Sequence, residues 1–312
     1  MILKVILWSS LALVPAALVA GTQSNNAAGS QAAPWLLLDN DARTAAMGDV
    51  SAALIRDVDA LGTQPAGLAG IKQQQFSASQ NLWVQQTTVS HLAYGISLMP
   101  GSALALGVNY QNFGSIDKYS LSNTGTLVPN GTANPNAYDI DLGWGQDLGM
   151  MGLSLGLDLK ALSQSLDAAA STAFAADLGV QWSGPAGLKL GVVEDNVGSQ
   201  LAGAYLPMIT VLGLGYAPAT GDSGALPLSV GVDVDLPSQG DVTVGFGGEY
   251  WLKDVLALRL GYHTNSVATN DLSVSGLTAG LGLKASWMEV DYAYRALGDL
   301  GMSNQFSLLA TF

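Results

Sequence analysis

The C-terminal segment constrains the fold of this chain more than any other feature, because polar and apolar residues largely alternate along it up to Phe312. The apolar members of one face are Phe306, Leu308, Ala310 and Phe312. The polar members of the other face are Ser303, Gln305, Ser307 and Thr311. A period of two that ends on an aromatic residue is typical of the last strand of an outer-membrane barrel, with one face toward lipid and one toward a polar lumen.

The composition agrees with a membrane barrel. The chain has 312 residues, of which 49% are hydrophobic and only 11% charged, whereas a soluble domain carries about 25% charged residues. Beyond the N-terminus, no stretch approaches the roughly 18 consecutive apolar residues of a membrane helix, so the hydrophobicity is distributed as alternation. The absence of cysteine excludes disulfides and thiolate metal sites. The net charge of -13 argues against a nucleic-acid partner.

The N-terminus has the pattern of a secretory signal peptide, with one early charge at Lys4 followed by an apolar core interrupted by Pro15. Cleavage is predicted after Ala20 or Gly21, and a signal anchor is the less favoured alternative. The predicted organisation is therefore a signal peptide over residues 1–20, a periplasmic or plug segment over 21–71, and an outer-membrane β-barrel over 72–312.

The two mature regions differ in periodicity. Between Leu36 and Ile71 the small apolar residues have helix-compatible spacing, with Asp41 as a possible N-cap and a turn at residues 64–67. From residue 72 onward, alternation predicts an all-β, antiparallel transmembrane barrel of about fourteen strands, to within two. Charges fall opposite the large apolar side chains. Short and long connections largely alternate, which places both termini in the periplasm.

Several motifs resemble the PorV/PorQ family of outer-membrane proteins. The N-terminal ones are Asp41-Ala42-Arg43-Thr44-Ala45-Ala46-Met47-Gly48, Asp57-Val58-Asp59-Ala60 and Gln64-Pro65-Ala66-Gly67-Leu68-Ala69. The C-terminal ones are Gly248-Glu249-Tyr250, Leu258-Arg259-Leu260-Gly261-Tyr262, Asp291-Tyr292-Ala293-Tyr294 and Gly298-Asp299-Leu300-Gly301. The resemblance spans nearly the whole mature chain, although Gln64 stands where the family usually has Asn.

The resemblance implies a barrel like that of the long-chain fatty acid transporter FadL, with the N-terminal segment in or under the lumen. Members near PorV are linked to type IX secretion, in which the barrel docks beside a translocon and receives cargo. Three functions stay open from the sequence. They are a secretion-associated barrel with protein partners, a FadL-like transporter of hydrophobic small molecules, and a structural protein with a closed lumen. Outer-membrane lipids are expected partners of all three.

The plug segment carries the first candidate contacts. Arg43 is predicted to pair with an inward carboxylate of the barrel, and the alternative is that it caps local backbone or pairs with Asp57 or Asp59. The inward carboxylates considered for this pair are Asp139, Asp141, Asp158, Asp177, Asp233, Asp235, Glu289 and Asp291. Pro65 and Gly67 are predicted to make the turn into the first strand. The full set of candidate plug and lumen contacts is Arg43, Asp57, Asp59, Pro65, Gly67, Glu249, Arg259 and Asp291.

No catalytic, cofactor or metal site is predicted, and the chain is not expected to be an enzyme. The pairs Asp139 with Asp141 and Asp233 with Asp235 are two residues apart on strands, so barrel alternation already explains why both members face the lumen. The two histidines, at 91 and 263, have no metalloprotease or triad context.

Overall fold

A computed structural model describes residues 30–149, 151–167, 169–218, 226–264 and 275–312 of the chain. The predicted signal peptide lies outside these residues. Residues 265–271 and most of residues 217–225, where the sequence predicts connections between strands, also lie outside them. Within the described ranges, no helix is long and apolar enough to cross a membrane.

The described residues form eighteen strands, of which fourteen close into an antiparallel barrel. The first nine are β1 (Gln74–Leu82), β2 (Thr88–Met99), β3 (Ser102–Asn112), β4 (Ile116–Leu121), β5 (Leu127–Ala133), β6 (Asn136–Asp147), β7 (Leu153–Leu166), β8 (Ala169–Ser183) and β9 (Leu188–Gly198). The other nine are β10 (Gln200–Leu201), β11 (Ala204–Tyr205), β12 (Ile209–Tyr216), β13 (Leu228–Pro237), β14 (Thr243–Leu252), β15 (Leu256–His263), β16 (Leu277–Ala285), β17 (Met288–Ala296) and β18 (Met302–Thr311). Strands β4 with β5 and β10 with β11 form separate hairpins. The prediction of an all-β barrel of about fourteen strands is confirmed.

The barrel begins and ends at the same rim. Strand β1 pairs with both β2 and β18, which closes the sheet. The N–H of Gln74 donates to the carbonyl of Phe312 at 3.1 Å, and the N–H of Phe312 donates back at 3.0 Å. We call this rim the terminal end. The opposite rim, which carries the β4–β5 and β10–β11 hairpins, is the loop end.

Alternation gives the barrel an apolar outer face. In β3, the outward residues Leu106 and Tyr110 are 56% and 46% exposed, whereas the inward Asn109 and Gln111 are buried. Other strands repeat this pattern. A continuous band of exposed Leu, Val and aromatic side chains is unfavourable in water and suits the hydrocarbon region of a bilayer.

Residues 30–71, which we call the plug, occupy the barrel lumen. Their short elements are a 3-10 turn at Pro34–Leu37, an α-helix at Ala42–Ala46, and 3-10 turns at Val58–Ala60 and Pro65–Gly70. Asp41 caps the α-helix, as its spacing indicates, by accepting the N–H of Thr44 at 2.8 Å. Leu61 and Leu68 are fully buried against small wall residues of β2 and β3.

The segment at residues 64–67 differs from the expected turn into the first strand. Gln64 caps the 3-10 turn Pro65–Gly70, and that turn packs against the inside of the barrel. Strand β1 begins only at Gln74. The reason is that Leu68 is apolar and is buried in the plug core, so the chain makes a further turn inside the lumen before it reaches the wall.

Inward glycines of the wall allow the plug backbone to approach closely. A Cβ atom at Gly156 would overlap the backbone of Pro65, one at Gly191 would overlap the carbonyl of Ala52, and one at Gly247 would overlap the carbonyl of Met47. At Gly143, a Cβ would lie 2.5 Å from a methyl of Leu61. These contacts recur on several strands, so the wall is shaped to the plug.

Replacing an inward glycine should therefore expel the plug without opening the barrel. We expect Gly247→Val to expose the plug to trypsin at Arg43 and Arg56, measured by mass spectrometry of the digested protein. The matched control is Gly248→Val, because a Cβ at Gly248 meets its nearest atom at an ordinary 3.5 Å. Heat-modifiable gel migration should show a folded barrel in both variants. Equal protection of the plug in the two variants would contradict the packing.

Candidate functional site

An ion-pair network at the terminal end joins the plug to the wall. Arg259 of β15 is 2% exposed and donates to Glu249 at 2.7 Å, to Glu289 at 3.0 Å and to Asp291. Arg43 of the plug donates to the two carboxylate oxygens of Glu249 at 2.9 and 3.1 Å. Glu249 therefore binds one guanidinium from the wall and one from the plug, and this geometry is typical of strong charge-assisted hydrogen bonds.

Four of the candidate contacts from the sequence, Arg43, Glu249, Arg259 and Asp291, thus lie in one network. Asp57 and Asp59 lie nearby and line the same cavity of about 440 Å³ at the terminal end. The carboxylate of Asp57 accepts the N–H of Asp59 at 3.1 Å and caps the 3-10 turn Val58–Ala60.

Pro65 and Gly67 lie apart from the charged network. Both are buried in the 3-10 turn Pro65–Gly70, which contacts strands β6, β7 and β8. A Cβ at Gly67 would lie 2.5 Å from the carbonyl oxygen of Ile55, so the small residue serves packing within the plug. The neighbouring Gln64 is fully buried and donates to the carbonyls of Ala52 at 3.0 Å and Val192 at 3.3 Å.

Burial changes the acidity of the two plug carboxylates at the terminal end. It raises the pKa of Asp57 to about 6, an effect that the guanidinium of Arg43 offsets only in part. Burial, together with the neighbouring carboxylates of Asp41 and Asp57, raises the pKa of Asp59 well above its ordinary value. The bound plug therefore holds these carboxyls partly protonated at mildly acid pH.

A second network joins plug and wall at the loop end. Arg295 of β17 donates to Asp39 at 2.6 Å and also binds Asp49. His263 of β15 lies 2.9 Å from Asp235 and 3.9 Å from Asp49. None of these contacts was predicted. The available signal was that Asp39 and Asp49 are ionisable groups in a plug of mostly small and apolar residues, for which buried charged partners on the wall are expected.

Wall side chains also bind the plug backbone between the two ends. The carboxylate of Asp233 accepts the N–H groups of Ser51 and Ala52 at 2.8 and 2.9 Å. Gln181 donates to the carbonyls of Ala52 and Ile55 at 3.1 and 3.0 Å. Asp233 therefore binds the plug backbone, whereas Asp235 lies beside His263.

A group of acidic residues on β6 to β9 surrounds one buried lysine. Lys160 forms an ion pair with Asp177 at 2.7 Å, and Asp158 accepts the N–H of Gly62 at 3.1 Å. Asp139 and Asp141 share the amide of Asn109, at 2.7 and 3.3 Å. Among the described residues, no group of acidic and histidine side chains has a geometry that could hold a metal ion.

The plug separates two cavities in the lumen. The loop-end cavity has a volume of about 290 Å³ and includes Ser51 and Gly62 of the plug in its lining. The terminal-end cavity includes Ile55 and Asp57. The described parts of the two linings share no residue. Residues of the plug thus line both cavities.

No protein-family model and no curated protein matches the sequence. Solved structures do share the fold. The chain is similar to the Pseudomonas putida toluene transporter TodX, with a TM-score of 0.61 and 13% identity over 88% of this chain and 97% of that one. It is similar to the Ralstonia pickettii toluene transporter TbuX, with a TM-score of 0.59 and 14% identity over 88% and 99%. A Pseudomonas aeruginosa FadL homologue gives a TM-score of 0.56 and 11% identity over 88% and 98%.

Removing the plug's cation at the terminal end should weaken its binding. We expect Arg43→Gln to reduce the free energy that holds the plug by about 1–2 kcal/mol, because a charge-assisted hydrogen bond is lost while Glu249 keeps Arg259. The measurement is the urea concentration at which trypsin first cleaves the plug at Arg56, the plug site that wild type and both variants share. Lys118→Gln is the control, since Lys118 pairs with Asp167 on the exposed surface. A shift of equal size in both variants would contradict a specific role for Arg43.

Asp57 should make plug binding depend on pH. The pKa of Asp57 is raised in the bound plug. The contribution of Asp57 to plug binding is therefore present in full below about pH 4 and is lost as the pH rises through about 6. We expect Asp57→Asn to protect the plug more than wild type at about pH 7.5 and equally at about pH 4. Hydrogen–deuterium exchange of residues 30–71, compared at the same pH, measures this. A variant that differs equally from wild type at both pH values would disprove it.

Proposed function

We propose that this protein conducts a hydrophobic small molecule across the outer membrane. The observation that carries the proposal is a 14-strand barrel with an apolar outer face, in which a plug separates a loop-end cavity from a terminal-end cavity. The similar structures are described as transporters of toluene and as a FadL homologue, which supports the same class of substrate. An outer-membrane location and export by the N-terminal signal peptide belong to this proposal.

Transport in this proposal requires the plug to move. The plug is held at two rims by ion pairs, through Arg43 at the terminal end and Arg295 at the loop end. Between them it is held by hydrogen bonds to single side chains such as Asp233. Each polar contact is individually modest, so a bound ligand that competes with one network could shift the plug toward a conformation that joins the two cavities.

A secretion-associated role is the second candidate, and one observation favours it. The β4–β5 hairpin at the loop end exposes apolar side chains, with Tyr119, Leu121 and Leu127 at 58%, 72% and 66%. Exposed apolar clusters on a loop suit a protein partner. The resemblance to PorV/PorQ proteins implies such a partner, whereas the similar solved structures favour a small-molecule substrate.

A disulfide lock between plug and wall tests transport directly, because the chain has no cysteine of its own. The N–H of Ala42 lies 3.2 Å from the hydroxyl of Ser307, so the two positions are adjacent. We expect cells that make the oxidised Ala42→Cys/Ser307→Cys protein to lose uptake of radiolabelled toluene and octanol, and to regain it after reduction. Gel mobility under non-reducing conditions reports the lock.

The single variant Ala42→Cys, treated with the same oxidant, is the control for the substitution and for the oxidation. The moving plug would be disproved if the oxidised and the reduced double-cysteine protein gave equal uptake, and if that uptake exceeded the uptake of cells without the protein. Uptake that never exceeds that of cells without the protein would favour a structural or secretion role. Deletion of the β4–β5 hairpin, residues 116–133, separates the structural role from the secretion role, since only secretion should depend on this hairpin.

A further inference from the structure

The loop-end cavity has an unusual charge for a site that would take a hydrophobic molecule. Its lining includes five carboxylates, Asp39, Asp49, Asp195, Asp235 and Asp241, and no lysine or arginine among the described residues. His263 is the one basic side chain in that described lining. The lining therefore carries more carboxylates than cationic groups, and this excess disfavours a ligand with a carboxylate head group.

The cations near the cavity are already engaged. Arg295, which is not part of the described lining, binds Asp39 and Asp49. His263 lies 2.9 Å from the carboxylate of Asp235, which also accepts the hydroxyl of Thr243 at 2.8 Å. A carboxylate ligand would thus have to displace an existing ion pair, whereas a cationic ligand would not.

One carboxylate of the cavity has an oxygen that lacks a partner. Asp195 of β9 is 8% exposed, and within the described part of the chain its Oδ1 accepts no hydrogen bond. Leaving a buried carboxylate oxygen unpaired is costly, so a native group of this kind requires a donor. A protonated amine can supply that donor and can pair with the carboxylate in a charge-assisted hydrogen bond.

The lining also contains apolar side chains. The plug contributes Leu36, Leu37 and Leu38, and the wall contributes Met208, Ile209 and Val211. The volume of about 290 Å³ lies at the lower limit of small-molecule sites. A short alkyl or aromatic tail could pack on these side chains while a head group faced the carboxylates.

We propose that the loop-end cavity binds a small amphipathic molecule with a protonated amine, its apolar tail against Leu36 and Met208 and its ammonium group at Asp195 and Asp241. This inference rests on the proposed function, because it assigns the substrate class of the same cavity. It sets the substrate apart from a fatty acid, whose head group has the opposite charge.

Three ligands with the same tail test the head-group preference. Isothermal titration calorimetry of the purified protein in a non-ionic detergent would compare octylamine, octanol and octanoate, with titrations into empty micelles subtracted. We expect octylamine to bind about tenfold or more tighter than octanol, and octanoate to bind weakest, because the added attraction is a single partly desolvated charge pair.

Two variants assign the preference to the cavity. Asp195→Asn should bring the affinity for octylamine down to that for octanol and leave octanol binding unchanged. If Asp195→Asn fails to fold, Asp241→Asn in the exposed β13–β14 connection should lower the octylamine preference in the same direction. Asp299→Asn is the matched control, since it removes one negative charge at the loop end outside the cavity and should retain wild-type binding.

The outcomes separate the inference from the proposed function. Equal affinities for octylamine and octanol would overturn the inference and leave hydrophobic transport standing. An amine preference that persists in both Asp195→Asn and Asp241→Asn would overturn the assigned site. Failure of all three ligands to bind, together with no toluene uptake in cells, would overturn both proposals.

Discussion

A closed sheet of fourteen strands encloses more space than its own side chains can fill, whereas a barrel of about eight strands is filled by them. Here the N-terminal residues 30–71 fill that space, and most other features of the lumen follow from this requirement. Because the plug backbone lies directly against the wall, positions such as Gly156, Gly191 and Gly247 can carry no side chain. The glycines of the strands are therefore part of the plug's binding surface.

A plug made of short turns creates a second requirement. Its backbone N–H and C=O groups lie in an enclosed lumen and need partners that regular secondary structure does not supply. The wall meets this need with single polar side chains, such as Asp233 for two N–H groups and Gln181 for two carbonyls. This explains why inward carboxylates are frequent in a barrel whose described residues contain no metal-binding geometry. They serve as hydrogen-bond acceptors and counter-ions of the plug.

The two rims differ in how well their carboxylates are paired with cations. At the terminal end, Arg259 is surrounded by three carboxylates, and Arg43 from the plug completes the binding of Glu249. At the loop end, Arg295 forms ion pairs with Asp39 and Asp49, so few cations are left near the other carboxylates of the loop-end cavity. The ion pairs that hold the plug at this end therefore leave an excess of carboxylates in the lining of the loop-end cavity. Because Asp39 and Asp49 belong to the plug and line that cavity, the shape and charge of the cavity depend on the position of the plug.

The sequence motifs and the fold differ in how much they say about function. The motifs around Arg43 and Arg259 resemble PorV/PorQ proteins and led to a secretion-associated barrel as the first hypothesis. The similar solved structures, at 11–14% identity, establish the fold alone. Sequence identity this low cannot distinguish secretion from small-molecule transport, because the alternation that builds a barrel is shared by barrels of every function.

The sequence by itself determined the barrel, the approximate strand number, the helix cap at Asp41 and the apolar outer face. These depend on periodicity and on local hydrogen bonds, which are readable within a few residues. Only the tertiary structure decided which charges meet. Arg295 and Asp49 are 246 positions apart, and Arg43 and Glu249 are 206 apart. Such partners are set by strand register and barrel closure, which position the plug and cannot be inferred from local pattern.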